Sequence, residues 1–218
     1  MGMAWNWIAG LFRRRDAAAQ PDDAAKQQEL LEELRSYIVR DLRGGYLEVD
    51  TIVDNALEVI DAQPHGADEL RAHAQQLLQS EIAAYRLDAA GWPDVTDHDR
   101  LEQAFSTLET QGVVCRQNFT CCGTCGVAEI GDEMHATRER GGPVNGYAFF
   151  HMQDTESAID GYGLFLNYGA VEEGEAAAVS VARSIVDTIS SVGLPVEWDG
   201  DWGKRIFVRL QWQRRLAL

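Results

Sequence analysis

The chain has 218 residues, of which 45% are hydrophobic and 25% charged, with five prolines and six tryptophans. That balance excludes disorder over most of the length and also low-complexity fibres, and no apolar run approaches the roughly 20 residues that span a bilayer. Its 35 acidic and 19 basic side chains leave a net charge of −16, a surface that repels phosphate backbones, so no nucleic-acid partner is expected.

The N-terminus carries Trp5, Trp7, Ile8, Leu11 and Phe12, followed by Arg13, Arg14 and Arg15. A secretory signal puts its positive charge ahead of the apolar stretch, and here the order is reversed. A soluble protein in a reducing cytoplasm is therefore expected, without a stable structural disulfide. Residues 1–15 could make weak contact with an anionic membrane surface or form a plain tail; with 17–25 they read as a Trp/Arg-containing tail and Ala-rich linker, residues 1–25 in all.

Residues 26–112 read as a helical region. Leu30, Leu31, Leu34, Ile38 and Leu42 recur at spacings of three and four until Gly44-Gly45. A second helix fits 50–62, with a break at Pro64-His65-Gly66, and a third fits 67–90. Thr96 with Asp99 three residues later is a capping box, opening a fourth helix that stops at Gly112. Residues 1–112 hold 21 acidic and 10 basic side chains, and the rest hold 14 and 9. Chemistry is therefore expected after Gly112, in the less acidic half.

Residues 113–218 read as a sheet domain. Strands fit 113–119, 147–153, 163–168, 196–198 and 205–212, with helices at 125–139 and 172–192. The order β-α-β-β-α-β-β predicts an α+β fold in which N-terminal helices pack on a mostly antiparallel sheet. Without its last strand it is the split βαβ, or ferredoxin-like, pattern. Residues 26–218 could also form one domain. Alternation sets Ala148, Phe150 and Met152 on one face with Leu164, Leu166 and Tyr168, joined by Ile206, Val208, Leu210 and Trp212. The opposite face shows Phe149, His151, Gln153, Phe165, Asn167, Phe207 and Arg209. Aromatics there could stack single-stranded RNA, but the N-terminal helices need a surface for their own apolar faces, and the negative charge favours that use.

The sharpest feature is Asn118-Phe119-Thr120-Cys121-Cys122-Gly123-Thr124-Cys125-Gly126, which holds three of the four cysteines. Three readings compete. Cys121, Cys122 and Cys125 could bind a metal, zinc being the expected ion, with His151 or His135 as a fourth ligand. Cys122 could attack as a redox thiol and Cys125 resolve, since a helix N-terminus lowers a thiol pKa. The cysteines could also simply pack a tight turn. Cys115 reads as a core residue. His151-Met152-Gln153-Asp154-Thr155-Glu156 reads as a polar strand end, or as an active-site rim. Trp198-Asp199-Gly200-Asp201-Trp202 reads as hairpin chemistry. There is no P-loop, dinucleotide fingerprint, nucleophile elbow or zinc-protease motif, so no other cofactor is expected.

Three runs carry a family resemblance: Thr96-Asp97-His98-Asp99-Arg100-Leu101, the stretch from Gly112 to Gly126, and Phe150-His151-Met152-Gln153-Asp154-Thr155. Together they resemble an uncharacterised bacterial domain-of-unknown-function family with an N-F-T-C-C-x-x-C-G motif and a later F-H-x-Q-D-T motif. Val196-Glu197-Trp198-Asp199-Gly200 and the basic C-terminus are similar to it too. The resemblance covers roughly residues 26–215 and implies that the cysteines belong to a shared design, but it supplies no reaction. The expected function is a metal-binding or redox thiol centre at Cys121, Cys122 and Cys125, with Cys122 and Cys125 as candidate catalytic thiols and His151 as a partner. The alternative is a non-enzymatic protein-interaction module with structural cysteines.

Overall fold

A computed structural model describes residues 21–60 and 67–218. The expected membrane contact at residues 1–15 and the break at Pro64-His65-Gly66 lie outside those residues. Helix α1 (Pro21–Gly44) takes in the end of the stretch that reads as linker. It ends at Gly45, whose φ of 72° lies in the left-handed region that glycine enters freely. With α2 (Ile52–Val59) and α3 (Ala67–Ala90) it builds a core of its own, in which Leu34, Ile38, Ile52, Ala56 and Ile82 meet. The expected packing of these helices on the second face of the sheet is thus corrected: their apolar stripes are satisfied by one another.

Helix α4 (Asp97–Thr110) opens on the predicted capping box. The Thr96 hydroxyl accepts the Asp99 N–H at 3.2 Å, and the Asp99 carboxylate accepts the Thr96 N–H at 2.8 Å. Its buried face of Leu101, Ala104, Phe105 and Leu108 packs into the core of the sheet rather than with the three helices before it.

The sheet is five-stranded: β1 (Val113–Arg116), β2 (Gly146–Phe149), β3 (Leu164–Ala170), β4 (Val196–Glu197) and β5 (Ile206–Val208), in the spatial order β1-β2-β3-β5-β4. All pairs are antiparallel except β1 with β2. The α+β class is as predicted, and so is the strand–helix succession apart from one added helix between β2 and β3. The ferredoxin-like pattern would set a strand between the first two, and that is corrected: β1 pairs with β2 directly. Gly112 and Asn145 fix this at the strand starts: the Gly112 carbonyl accepts the Asn145 N–H at 2.7 Å. Gly112 has φ 88°, and a Cβ there would lie 2.6 Å from the Asn145 side chain.

Three layers result. Helices α4 and α7 (Glu175–Ser191) cover the face that carries Cys115, Ala148, Leu164, Leu166, Ile206 and Val208. Helix α5 (Gly123–Glu139), which crosses from β1 to β2, covers the opposite face, where Gly126 sits against the ring of the buried Phe149. The β2–β3 connection, expected as a plain loop, contains helix α6 (Met152–Ile159), so Met152 leaves the core row and is 39% exposed. Beyond β5 the chain is extended without ladder pairing and ties the two cores together. Trp212 Nε1 donates to the Arg43 carbonyl at 2.9 Å, and the Tyr85 hydroxyl donates to the Arg214 carbonyl at 2.6 Å. Among the described residues no helix is long and apolar enough to cross a membrane.

His98 lies under this strap, only 1% exposed, with its ring edge-on to Trp212 at 5.0 Å and its Nε2 without a partner. Burial, aided by the Arg214 charge, lowers its pKa from 6.5 to about 4. The folded state therefore resists a proton that the unfolded chain accepts. His98 stabilises the fold above pH 6.5, and that contribution is lost as the pH falls towards 4. The loss is on the order of 3 kcal/mol when complete. Urea midpoints across this range should fall with acidification, and less steeply in His98→Phe.

Candidate functional site

The three clustered cysteines sit where β1 gives way to α5. Cys122 is the helix N-cap, with extended backbone, and its carbonyl accepts the Gly126 N–H at 3.0 Å. Before it the chain enters the left-handed region twice without glycine, at Asn118 (φ 49°) and Thr120 (φ 59°). Such backbone costs roughly 1–3 kcal/mol per residue and persists only where surrounding contacts hold it. Most of those contacts come from one short segment that leaves β2 and opens α6. Phe119 N–H donates to the Phe150 carbonyl at 2.8 Å, and Met152 N–H donates to the Thr120 carbonyl at 3.1 Å. The Thr155 hydroxyl donates to Asn118 Oδ1 at 2.8 Å. From the connection after α1, where Tyr46 packs against the sheet core, its hydroxyl donates to Gln117 Oε1 at 2.9 Å.

This loop brings the sulfurs of Cys121, Cys122 and Cys125 within 4.8 Å of one another. Cys121 is exposed and the other two are half-buried, and Cys121 Sγ contacts Cys125 Sγ at 3.5 Å. The backbone N–H of Cys125, then thiol hydrogen bonds from Cys125 and Cys121, hold the Cys122 thiol below its ordinary pKa. The Cys125 thiol, bonded to both neighbouring sulfurs, is raised to about 11. Cys115 is different: it is buried in the sheet core, as expected, and burial pushes its thiol up.

His151 lies beside the cysteines but outside the group of three sulfurs. It is the N-cap of α6, in a capping box with Asp154: the Asp154 N–H donates to His151 Nδ1 at 3.3 Å, and the His151 N–H donates to the Asp154 carboxylate at 3.2 Å. Its Nε2 also faces that carboxylate, at 3.0 Å, which suits a neutral ring carrying its proton on Nε2. Burial lowers the His151 pKa, the Asp154 charge opposes this, and Arg205 adds to it. Asp154, only 3% exposed, is paired at 2.9 Å with Arg205, whose guanidinium lies 4.7 Å over the Phe165 ring. The His151 ring also approaches Gly123, where a Cβ would stand 3.7 Å from Nε2. The other histidine candidate, His135, is exposed, paired with Glu139 at 3.4 Å, and ten residues beyond Cys125, about 15 Å along the helix.

Sequence reading alone placed Asn118 and Thr155 inside its motifs without a role, and missed Arg205 as part of this site. The His151…Asp154 spacing carries the signal of a capping box, obscured by a histidine where serine or threonine is usual. Asp154 and Arg205 meet only through the fold. Of the open-face aromatics, Phe165 and Phe207 meet with ring centroids 4.9 Å apart, tilted by 48°. They line a shallow cavity of about 690 Å³ with Tyr162 and Trp198.

Gly126 supplies a test of how tightly α5 is seated. A Cβ there would lie 2.4 Å from the fully buried Phe149 ring, so Gly126→Ala should cost about 1–3 kcal/mol through overpacking, read from urea unfolding.

No curated protein and no solved structure matches the chain significantly. A family model does: residues 27–216, from early α1 through the C-terminal strap, match the model described as a domain of unknown function, DUF6891, and the chain belongs to that family.

Proposed function

We propose that Cys121, Cys122 and Cys125 form a metal-binding thiolate centre, with zinc as its ion. The observation that carries this reading is the convergence of three sulfurs within 4.8 Å at the start of one helix. A tetrahedral zinc ion with bonds of about 2.3 Å spaces its sulfurs about 3.8 Å apart, and the Cys121–Cys125 contact of 3.5 Å is close to that. Three thiolates also suit a soft or borderline ion. His151 enters as a positioning residue, since both its ring nitrogens face the Asp154 side. The fourth position then belongs to water or to an outside donor, which gives the ion a site for Lewis-acid chemistry. The reading requires a reducing compartment, the cytoplasm in our proposal, because a disulfide would remove two ligands.

Protein purified without a histidine tag should contain one zinc per chain, measured by elemental analysis, and Cys122→Ser/Cys125→Ser should contain none. Metal-free protein that also takes up no added zinc would sink the proposal.

A second reading, thiol–disulfide exchange, has its own observation. Cys122 is the thiol whose pKa is lowered, and backbone N–H groups of Cys125 and Thr124 contribute to that. In this reading the Cys122 thiolate attacks a disulfide of a partner protein and one partner sulfur leaves as a thiolate. The Cys125 thiolate then displaces the second, so that the partner is reduced as this pair is oxidised. Cys122 should be alkylated by iodoacetamide with a midpoint below that of an ordinary thiol, and Cys125 only near its value of about 11. Equal, high midpoints in metal-free protein would remove this reading. Metal-free protein whose thiols stay inert until it is unfolded would remove both readings.

A further inference from the structure

We infer that the three-sulfur cluster is a peroxide-sensitive switch in which oxidation joins Cys121 to Cys125 and releases the bound ion. The inference rests on the metal centre proposed above and adds its regulation. Two observations carry it. Cys121 is the exposed sulfur of the three, and the others are half-buried. Its Sγ already contacts Cys125 Sγ at 3.5 Å across the first turn of α5. The motif spacing alone suggests the Cys122–Cys125 pair; the geometry points to Cys121–Cys125 instead.

The chemistry balances with hydrogen peroxide as the oxidant. The Cys121 thiolate attacks one peroxide oxygen, the S–O bond forms as the O–O bond breaks, and hydroxide leaves and takes a proton to become water. Cys121 is now a sulfenic acid, oxidised by two electrons, and the peroxide is reduced by two. The Cys125 thiolate then attacks the Cys121 sulfur, and the S–S bond forms as the second hydroxide leaves, again to become water. The net change is two thiols and one peroxide converted to one disulfide and two waters. The sulfurs must close from 3.5 Å to about 2.05 Å. Two of the three donors are then spent, and Cys122 alone does not hold the ion. An exposed disulfide is also the kind that cellular dithiols reduce readily, which makes the switch reversible.

The experiment treats the full-length, reduced protein with hydrogen peroxide while a chromogenic chelator reports free zinc. The remaining thiols are then alkylated and the peptides mapped by mass. The expected result is one zinc released per disulfide formed, with the disulfide mapped to Cys121–Cys125 and reversal on adding dithiothreitol and zinc. Cys122→Ser should still form that disulfide, and Cys121→Ser should lose it. A disulfide mapped to Cys122–Cys125, or zinc retained through several equivalents of peroxide, overturns the switch. Protein that is metal-free before peroxide is added and takes up no added zinc overturns the metal centre itself, and its disulfide map still decides the pairing.

Discussion

Two backbone hydrogen bonds, from Phe119 to the Phe150 carbonyl and from Met152 to the Thr120 carbonyl, hold the loop on which the cysteine cluster depends. Thr120 is β-branched and sits at φ 59°, a conformation that such residues rarely adopt. Ordinary hydrogen bonds contribute only about 0.5–1.5 kcal/mol each, so no single contact offsets the strain at both Asn118 and Thr120. The two ladder-like bonds, the Thr155–Asn118 bond and the Phe119–Phe149 ring contact act together. If they were removed, the loop would relax towards ordinary extended backbone, and Cys121 would turn away from Cys125.

The same side chain takes two chemical characters within eleven positions. Cys115 alternates into the core between α4 and the sheet, where desolvation keeps it a neutral thiol. At the start of α5, solvent, free backbone N–H groups and neighbouring sulfurs replace that apolar shell. Three thiols at this distance do not ionise independently. The Cys125 N–H and the neighbouring thiols lower Cys122, while hydrogen bonds to both sulfurs, and then their negative charge, raise Cys125. A bound cation would remove that opposition, since it draws all three sulfurs to the thiolate form.

What was legible in the sequence was local. The helix periodicities, the Thr96–Asp99 capping box and the dense cysteine motif each follow from neighbours within a few residues, and the structure has them. The direct β1–β2 pairing was not legible, because strand alternation says which face a residue takes and not which strand lies beside it. Nor was the separate core of α1, α2 and α3: an amphipathic stripe demands burial but does not name its partner. His151 shows the limit most clearly. Its residue type suggests a ligand, yet its position three residues before Asp154, at the end of β2, makes it a helix cap.

The cysteine motif and the later Phe150–Thr155 run are one physical unit. The first, from Asn118 to Gly126, supplies the sulfurs and a strained loop. The second, from Phe150 to Thr155, supplies the carbonyl, the N–H and the hydroxyl that hold that loop. Its histidine and aspartate start α6 at the required place, and Arg205, arriving from the approach to β5, neutralises the buried Asp154 charge. An uncompensated buried carboxylate is costly, so the register of β5 against β3 bears on the cysteines. The N-terminal half reaches this region more lightly, through Tyr46 on Gln117 and Arg40 on Glu156. The sheet half thus holds the cysteine cluster, and the chain in and just after α1 steadies its surroundings from behind.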